Sequence, residues 1–278
     1  MAGVDYAVGI PSGTALTPIA SASIPGTSLS GSLLRCKTPG STITINAVEF
    51  GDKTIYDNTG CSWNVSNSHF GCPVNYTSIA ADNLTILNNE FNQAGCTNPS
   101  SFVTGDNVVL RYNWFRNGSA HVLETGGGGG GRIVEQFNLI DTMVPGGAAT
   151  GAHENWLQLS GTSAVNDPLI SYNTAYQPRA GNGEGWQFYC NSGPCQVNNP
   201  TLANNTVVTL PGAGMSYVVN GGDTSHPSFP VSNGINRDNY VDPRGAFGAH
   251  YPGTMTPARG WTSSGNMDLN TGLPIIAG

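Results

Sequence analysis

Three glutamates, Glu124, Glu154 and Glu184, recur at intervals of 30 residues in a sequence of 278 that carries 17 acidic residues in all. Two carboxylates about 5–10 Å apart are what glycoside hydrolysis needs, one to donate a proton and one to act as nucleophile or base. The segments that hold them are Ala120-His121-Val122-Leu123-Glu124-Thr125, Ala152-His153-Glu154-Asn155-Trp156-Leu157-Gln158-Leu159 and Glu184-Gly185-Trp186-Gln187-Phe188-Tyr189. All three contain a hydrophobic residue followed by Glu or Gln. Aligned on that step, Glu124, Gln158 and Gln187 form one polar column, which Val218 ends. Leu157 and Leu159 flank Gln158, so alternation along a strand predicts the leucines inward and Gln158 outward. His121, His153, Trp156, Trp186 and Tyr189 lie beside this column. Aromatic faces next to amides and carboxylates suit sugar rings and their hydroxyls. Polysaccharide is therefore the candidate ligand, and His121, His153, Trp156, Gln158, Trp186, Gln187 and Tyr189 are the candidate glycan-binding residues. Ordinary stacking of Gln and Glu between strands, beside packed aromatics, is the competing expectation.

Other chemistries fit less well. A calcium-dependent lyase wants several clustered carboxylates and a basic residue; Arg132 and Arg179 lie nearby, but no Asp-Asp or Asp-x-x-Asp pair accompanies them. No cofactor or metal is expected: the Gly-x-Gly runs come without a phosphate-binding lysine, and no His stands at ligand spacing from a Cys pair. With 10 Lys+Arg and no basic run, nucleic acid is an unsuitable partner. No apolar stretch approaches the ~20 residues that span a bilayer, so membrane insertion is not expected.

The elements that must position these residues are visible as a repeat. Asn88-Asn89-Glu90-Phe91, Tyr112-Asn113-Trp114-Phe115, Phe137-Asn138-Leu139-Ile140, Tyr172-Asn173-Thr174-Ala175, Asn204-Asn205-Thr206-Val207 and Asp238-Asn239-Tyr240-Val241 share an asparagine two residues before an apolar or small one. Asn67-Ser68-His69-Phe70 and Ala47-Val48-Glu49-Phe50 are fainter copies. The shared asparagines are 24, 25, 35, 32 and 34 residues apart, a period that marks stacked units. Leu84 and Ile86, and likewise Val108 and Leu110, precede them with the period-2 alternation of strands. Glu135 stands where Ile86 and Leu110 stand, an imperfection in the pattern. Vertically aligned asparagines would bond their amides up and down as a ladder, with each bend placed at the Asn pair.

Composition agrees. Gly (38) and Pro (18) are abundant and charged residues make up only 10%, which disfavours helix, while 38% hydrophobic residues suffice for a core. The six cysteines are an even set. Cys190 and Cys195 bracket a Gly-Pro turn, and Cys36/Cys61 and Cys72/Cys96 are each separated by close to one repeat; stacked strands bring such positions within disulfide range. Disulfides are expected, but six cysteines allow 15 pairings and spacing alone does not choose among them.

The Asn-x-Phe/Val/Ile repeats, their period and the Gly/Ser/Thr/Asn surface resemble right-handed parallel β-helix proteins of the pectate-lyase-like superfold. The resemblance implies an all-β protein: a single-stranded right-handed parallel β-helix over 41–245, an N-terminal cap or attachment arm over 1–40, and a C-terminal tail or cap over 246–278. It carries little about activity, because that superfold hosts phage spikes and adhesins as well as polysaccharide-active enzymes. The N-terminus, Met-Ala-Gly-Val-Asp-Tyr, lacks the basic and apolar regions of a secretory signal. That agrees with either a removed leader or a virion component released by lysis. The first functional expectation is a non-enzymatic virion surface protein (capsid decoration, head spike or tail adhesin) whose partners are other virion proteins or further copies of itself. The alternative is a secreted polysaccharide lyase or glycoside hydrolase that uses Glu124, Glu154 and Glu184. Both place the protein on a virion surface or outside the cell.

Overall fold

The computed structural model describes residues 7–74, 77–96, 101–118, 120–125, 131–141, 143, 155–161, 163–177, 183–190, 193, 195–209, 215–222, 231–244 and 248–276. The protein is all-β, with strands gathered into three long, predominantly parallel sheets. Each pass of the polypeptide visits the three in turn. Thr42–Asn46, Ser62–Ser66, Leu84–Leu87, Val108–Arg111, Ile133–Gln136, Leu169–Ser171, Thr201–Ala203, Gly234–Arg237 and Trp261–Ser264 build sheet A. Sheet B runs from Thr17–Pro18 and Val48–Gly51 through Trp114–Arg116 and Thr174–Gln177 to Tyr240–Val241 and Met267–Asp268. Sheet C runs from Thr27–Ser30 through Leu123–Glu124, Asn155–Leu159 and Glu184–Cys190 to Tyr217–Asn220. Strand neighbours in each sheet come from successive passes, an arrangement consistent with a β-helix-like solenoid.

Register stacks like on like. Ile45, Val65, Ile86, Leu110, Glu135, Ile170 and Leu202 form one inward column of sheet A. On sheet B, Phe50, Phe70, Phe91 and Phe115 stack face to face with centroids 4.2, 4.7 and 4.8 Å apart. Such short spacings are set by the ~4.8 Å distance between neighbouring strands. Sheet C supplies Ile55, Ile79, Val103, Leu123, Leu157 and Trp186. All these side chains are buried in one continuous core.

The bend between sheets A and B carries the asparagine ladder that the repeat predicts. The backbone N–H groups of Asn89, Asn113, Asn138, Asn173, Asn205 and Asn239 each donate to the Oδ1 of the next asparagine, at 2.9, 2.9, 3.0, 3.0, 2.9 and 3.0 Å. Ser68 begins the series and Asn266 ends it. Each Nδ2 donates in turn to a carbonyl one layer below, as from Asn113 to Ile86 and from Asn138 to Leu110, both at 2.9 Å. One amide thus caps both backbone groups left without sheet partners at the preceding bend. The left-handed residue is not the ladder asparagine but the one before it: Asn88, Tyr112, Phe137, Tyr172, Asn204 and Asp238 all have φ of 55–58°.

The stack extends past the boundaries drawn from the repeat. Trp261–Ser264 pairs with Gly234–Arg237, and Met267–Asp268 with Tyr240–Val241. The intervening segment Gly265-Asn266 is a further copy, disguised by glycine at the left-handed corner. At the other end Thr17–Pro18 pairs with Val48–Glu49. Three disulfides join Cys36 to Cys61, Cys72 to Cys96 and Cys190 to Cys195. The first two tie segments one repeat apart, and together the three suggest an oxidising, extracellular setting. No helix among the described residues is long and apolar enough to cross a membrane.

Replacing Asn138 by Ala would strand the buried Asn113 N–H and the Leu110 carbonyl, each worth about 1–3 kcal/mol when left unpaired. Urea unfolding should therefore show a loss of roughly 3 kcal/mol or more. Asn88→Gly, at a left-handed corner that glycine occupies freely, should change stability by no more than about 0.5 kcal/mol.

Candidate functional site

Sheet C brings the sequence-predicted residues together only in part. Glu124 is directly opposite Gln158, so the first step of the polar column stands. The second does not hold as a simple step. Leu157 pairs with Trp186 and Leu159 with Cys190. Four residues of the later strand therefore span what two do in the earlier one, a bulge that displaces Gln187 from Gln158. Gln187 then pairs with Asn220 rather than Val218, and the column stays polar to that strand.

Burial overturns the expected open face. Gln158 is 3% exposed and Gln187 is fully buried; all five positions of Asn155–Leu159 are buried, so alternation does not turn one side to solvent here. Trp156 and Trp186 pack edge to face at 4.7 Å, and both are buried. Their faces are part of the core rather than a platform. Half-buried are His121, Glu124, Glu184 and Tyr189. The His121 ring accepts from the Asn155 backbone N–H at 3.4 Å. His153 and Glu154 lie outside the described residues.

The two described glutamates are engaged within the protein itself. Glu124 accepts from Ser101 Oγ at 2.8 Å and Ser160 Oγ at 3.2 Å. Glu184 accepts from Gln187 Nε2 at 2.6 Å and the Tyr217 hydroxyl at 2.7 Å, and Gln187 Nε2 also donates to the Tyr217 oxygen at 2.7 Å. Burial, reinforced by the Glu184 charge, pushes the Tyr217 hydroxyl well above its ordinary range, so it remains a donor. Glu184 is opposite Asn155, three residues before Gln158, and one strand further from Glu124. Two strand spacings and three residues of offset put their backbones about 14 Å apart. Glu184 reaches away from Glu124, to Tyr217 on the strand beyond, so the two carboxyls do not face one another as a hydrolase pair must. Tyr217 has no signal in the sequence that ties it to Glu184, because it falls on the next pass, 33 residues later.

A third carboxyl behaves differently. Glu135 occupies an inward position of sheet A between Leu110 and Ile170, and its Oε2 accepts from Trp186 Nε1 at 3.1 Å across the interior. Desolvation raises its pKa to about 8, against a smaller opposing effect of the Trp186 bond. The imperfection in the repeat is thus a buried carboxylic acid, protonated at neutral pH, that bridges sheets A and C. Among the described residues, no group of three or more His, Cys, Asp or Glu could hold a metal ion. No protein-family model matches the sequence, and no curated protein or solved structure matches it either.

Glu135 sets a pH dependence. The unfolded protein ionises it near 4.5, whereas the folded protein keeps it neutral to about 8. Its contribution to stability is therefore fully present below pH 4.5 and declines as pH rises through 8, by up to about 1.4 kcal/mol per pH unit in that window. Glu135→Gln keeps an acceptor for Trp186 and should flatten this decline. Urea midpoints at pH 5 and pH 8 check it: parent and variant should diverge at the higher pH, with the variant more stable.

Proposed function

We propose that the protein is a right-handed parallel β-helix of the pectate-lyase-like superfold, and that it works as a non-enzymatic structural protein of a virion surface, as capsid decoration, head spike or tail adhesin. The observation that carries the non-enzymatic reading is the disposition of Glu124 and Glu184. They lie about two strands apart and are turned to separate internal partners, Ser101 and Ser160 for one, Tyr217 and Gln187 for the other. Carboxylates held in this way act as cross-strand ties, as do the asparagines.

The rest of the architecture supports a rigid rod. A ladder of buried amides, a column of stacked phenylalanines and two disulfides between successive passes resist bending and shear along the stack. The ends are suited to attachment. At the C-terminal end, Leu273 and Ile276 are 63% and 87% exposed. They border an open pocket of about 630 Å³ that is also lined by Pro243, His250, Pro252 and Pro274. An apolar rim of this kind fits a neighbouring virion subunit or a further copy of the protein.

Incubation with a panel of acidic and neutral polysaccharides tests the proposal. It predicts no new reducing ends and no unsaturated-uronate absorbance. Product that disappears in Glu124→Gln would overturn it in favour of a polysaccharide-degrading enzyme. Neighbouring genes for capsid and tail proteins would agree with the virion setting, and carbohydrate-degrading neighbours would contradict it.

A further inference from the structure

Among the described residues, four aromatic side chains are exposed: Tyr56, Tyr172, Tyr176 and Tyr240. Two of them share the outer face of sheet B, and a third stands at the corner beside it. Tyr176 and Tyr240 lie on strands Thr174–Gln177 and Tyr240–Val241 of sheet B, and Tyr172 is at the corner that leads into the first of these. Register places Tyr240 two strands from Thr174 through Thr206, about 10 Å along the stack. Tyr176 is opposite Val208. Thr174 and Thr206 between them are buried, so the accessible surface here is that of the tyrosines themselves.

Tyr172 is held there against local preference. Its φ is 58°, a left-handed conformation that a bulky L-residue disfavours. The corners on either side of this region use Asn88, Asn204 and Asp238 instead, so the fold itself does not require an aromatic residue. The ring continues a stack with Phe137 and Tyr112, at centroid distances of 5.1 and 4.9 Å and with planes within 12° and 5°. Where the stack ends, the next corner bears the short side chain of Asn204. The outer face of Tyr172 thus forms a step above Asn204, with Arg237 half-exposed beyond it.

We propose that this corner and the adjoining face of sheet B bind a polysaccharide, one sugar ring seated on the step of Tyr172 and others against Tyr176 and Tyr240. Ring faces meet the C–H side of a pyranose, and the phenolic hydroxyls with Asn204 and Arg237 meet its hydroxyls. A second copy of the protein is a poorer occupant. Tyr172, Tyr176 and Tyr240 are 41%, 37% and 49% exposed, which amounts to about 190–320 Å² at 150–250 Å² per whole aromatic side chain. A stable protein interface takes about 800 Å² per partner. The site is separate from the residues of sheet C, and it is read as retention rather than cleavage, so it stands apart from the non-enzymatic proposal.

Affinity electrophoresis tests it, in native gels cast with and without hydroxyethylcellulose, xylan, polygalacturonate or bacterial lipopolysaccharide. The variants are Tyr172→Asn and Tyr240→Thr, alone and together; each introduces the residue type found at the equivalent place one layer below or above. The expected result is retardation of the parent by at least one of these polymers and at least a tenfold weaker apparent affinity in the double variant, with unchanged mobility in polymer-free gels and an undiminished melting temperature. Three results would overturn it: no retardation of the parent by any of the four, equal retardation of parent and double variant, or a parent that sediments as a dimer while the double variant is monomeric and neither is retarded.

Discussion

A parallel stack of short strands has one recurring problem, the bend at which the backbone leaves one sheet for the next. There an N–H and a carbonyl drop out of the sheet pairing, and both are buried. Unpaired, each such group costs about 1–3 kcal/mol, and repetition over many passes would exceed the whole stability of an ordinary domain, about 5–15 kcal/mol. The asparagine amide solves it with one side chain, because its oxygen accepts from the N–H below while its nitrogen donates to the carbonyl below, as Asn138 does for Asn113 and Leu110. Aspartate could offer only acceptors, and glutamine is a methylene longer. Every other feature of the stack depends on this bidentate cap being repeated in vertical register.

Once the asparagines are aligned, the columns around them are aligned as well. The phenylalanines two residues on must stack, and the hydrophobic columns of sheets A and C follow. The inward position of Glu135 lies next to this fixed frame, which is why its carboxyl remains buried with Trp186 as its partner instead of reaching solvent. The left-handed residue before each asparagine points outward and has no such duty. Its side chain is free to vary, and Tyr112, Phe137 and Tyr172 use that freedom to build an aromatic stack on the outside of the same layers.

The layered fold is legible in the sequence because its signal is periodic and local. An asparagine with an apolar residue two places later can be counted along the sequence, and the two cross-layer disulfides fall at the same period. Legibility stops where the period is interrupted. Asn266 is hidden because Gly265 replaces the usual corner residue and Asp268, two places on, is charged where the other copies have an apolar or small residue. The expected open face of sheet C fails for a different reason. Alternation says which side of a strand a residue takes, but not whether another segment covers that side, and Gln158 and Trp156 are both buried. The two-residue bulge between Trp186 and Cys190 likewise has no mark in the sequence, so counting sets Gln187 against Val218 instead of Asn220. The outer tyrosines are silent too, since a lone tyrosine on a strand has no periodic signature; only register shows that Tyr176 and Tyr240 share a face, with Tyr172 at the corner beside it.

Hydrogen exchange at the ladder amides tests the central claim most directly. If the buried asparagine caps hold the layers together, the backbone N–H groups of Asn113, Asn138, Asn173 and Asn205 should exchange only through global unfolding. They would then share one opening free energy, equal to that of denaturant unfolding, and be as protected as the sheet amides of Val108 or Ile170. Exchange of these four at rates close to those of unstructured peptide amides, or with a separate free energy at each site, would contradict it.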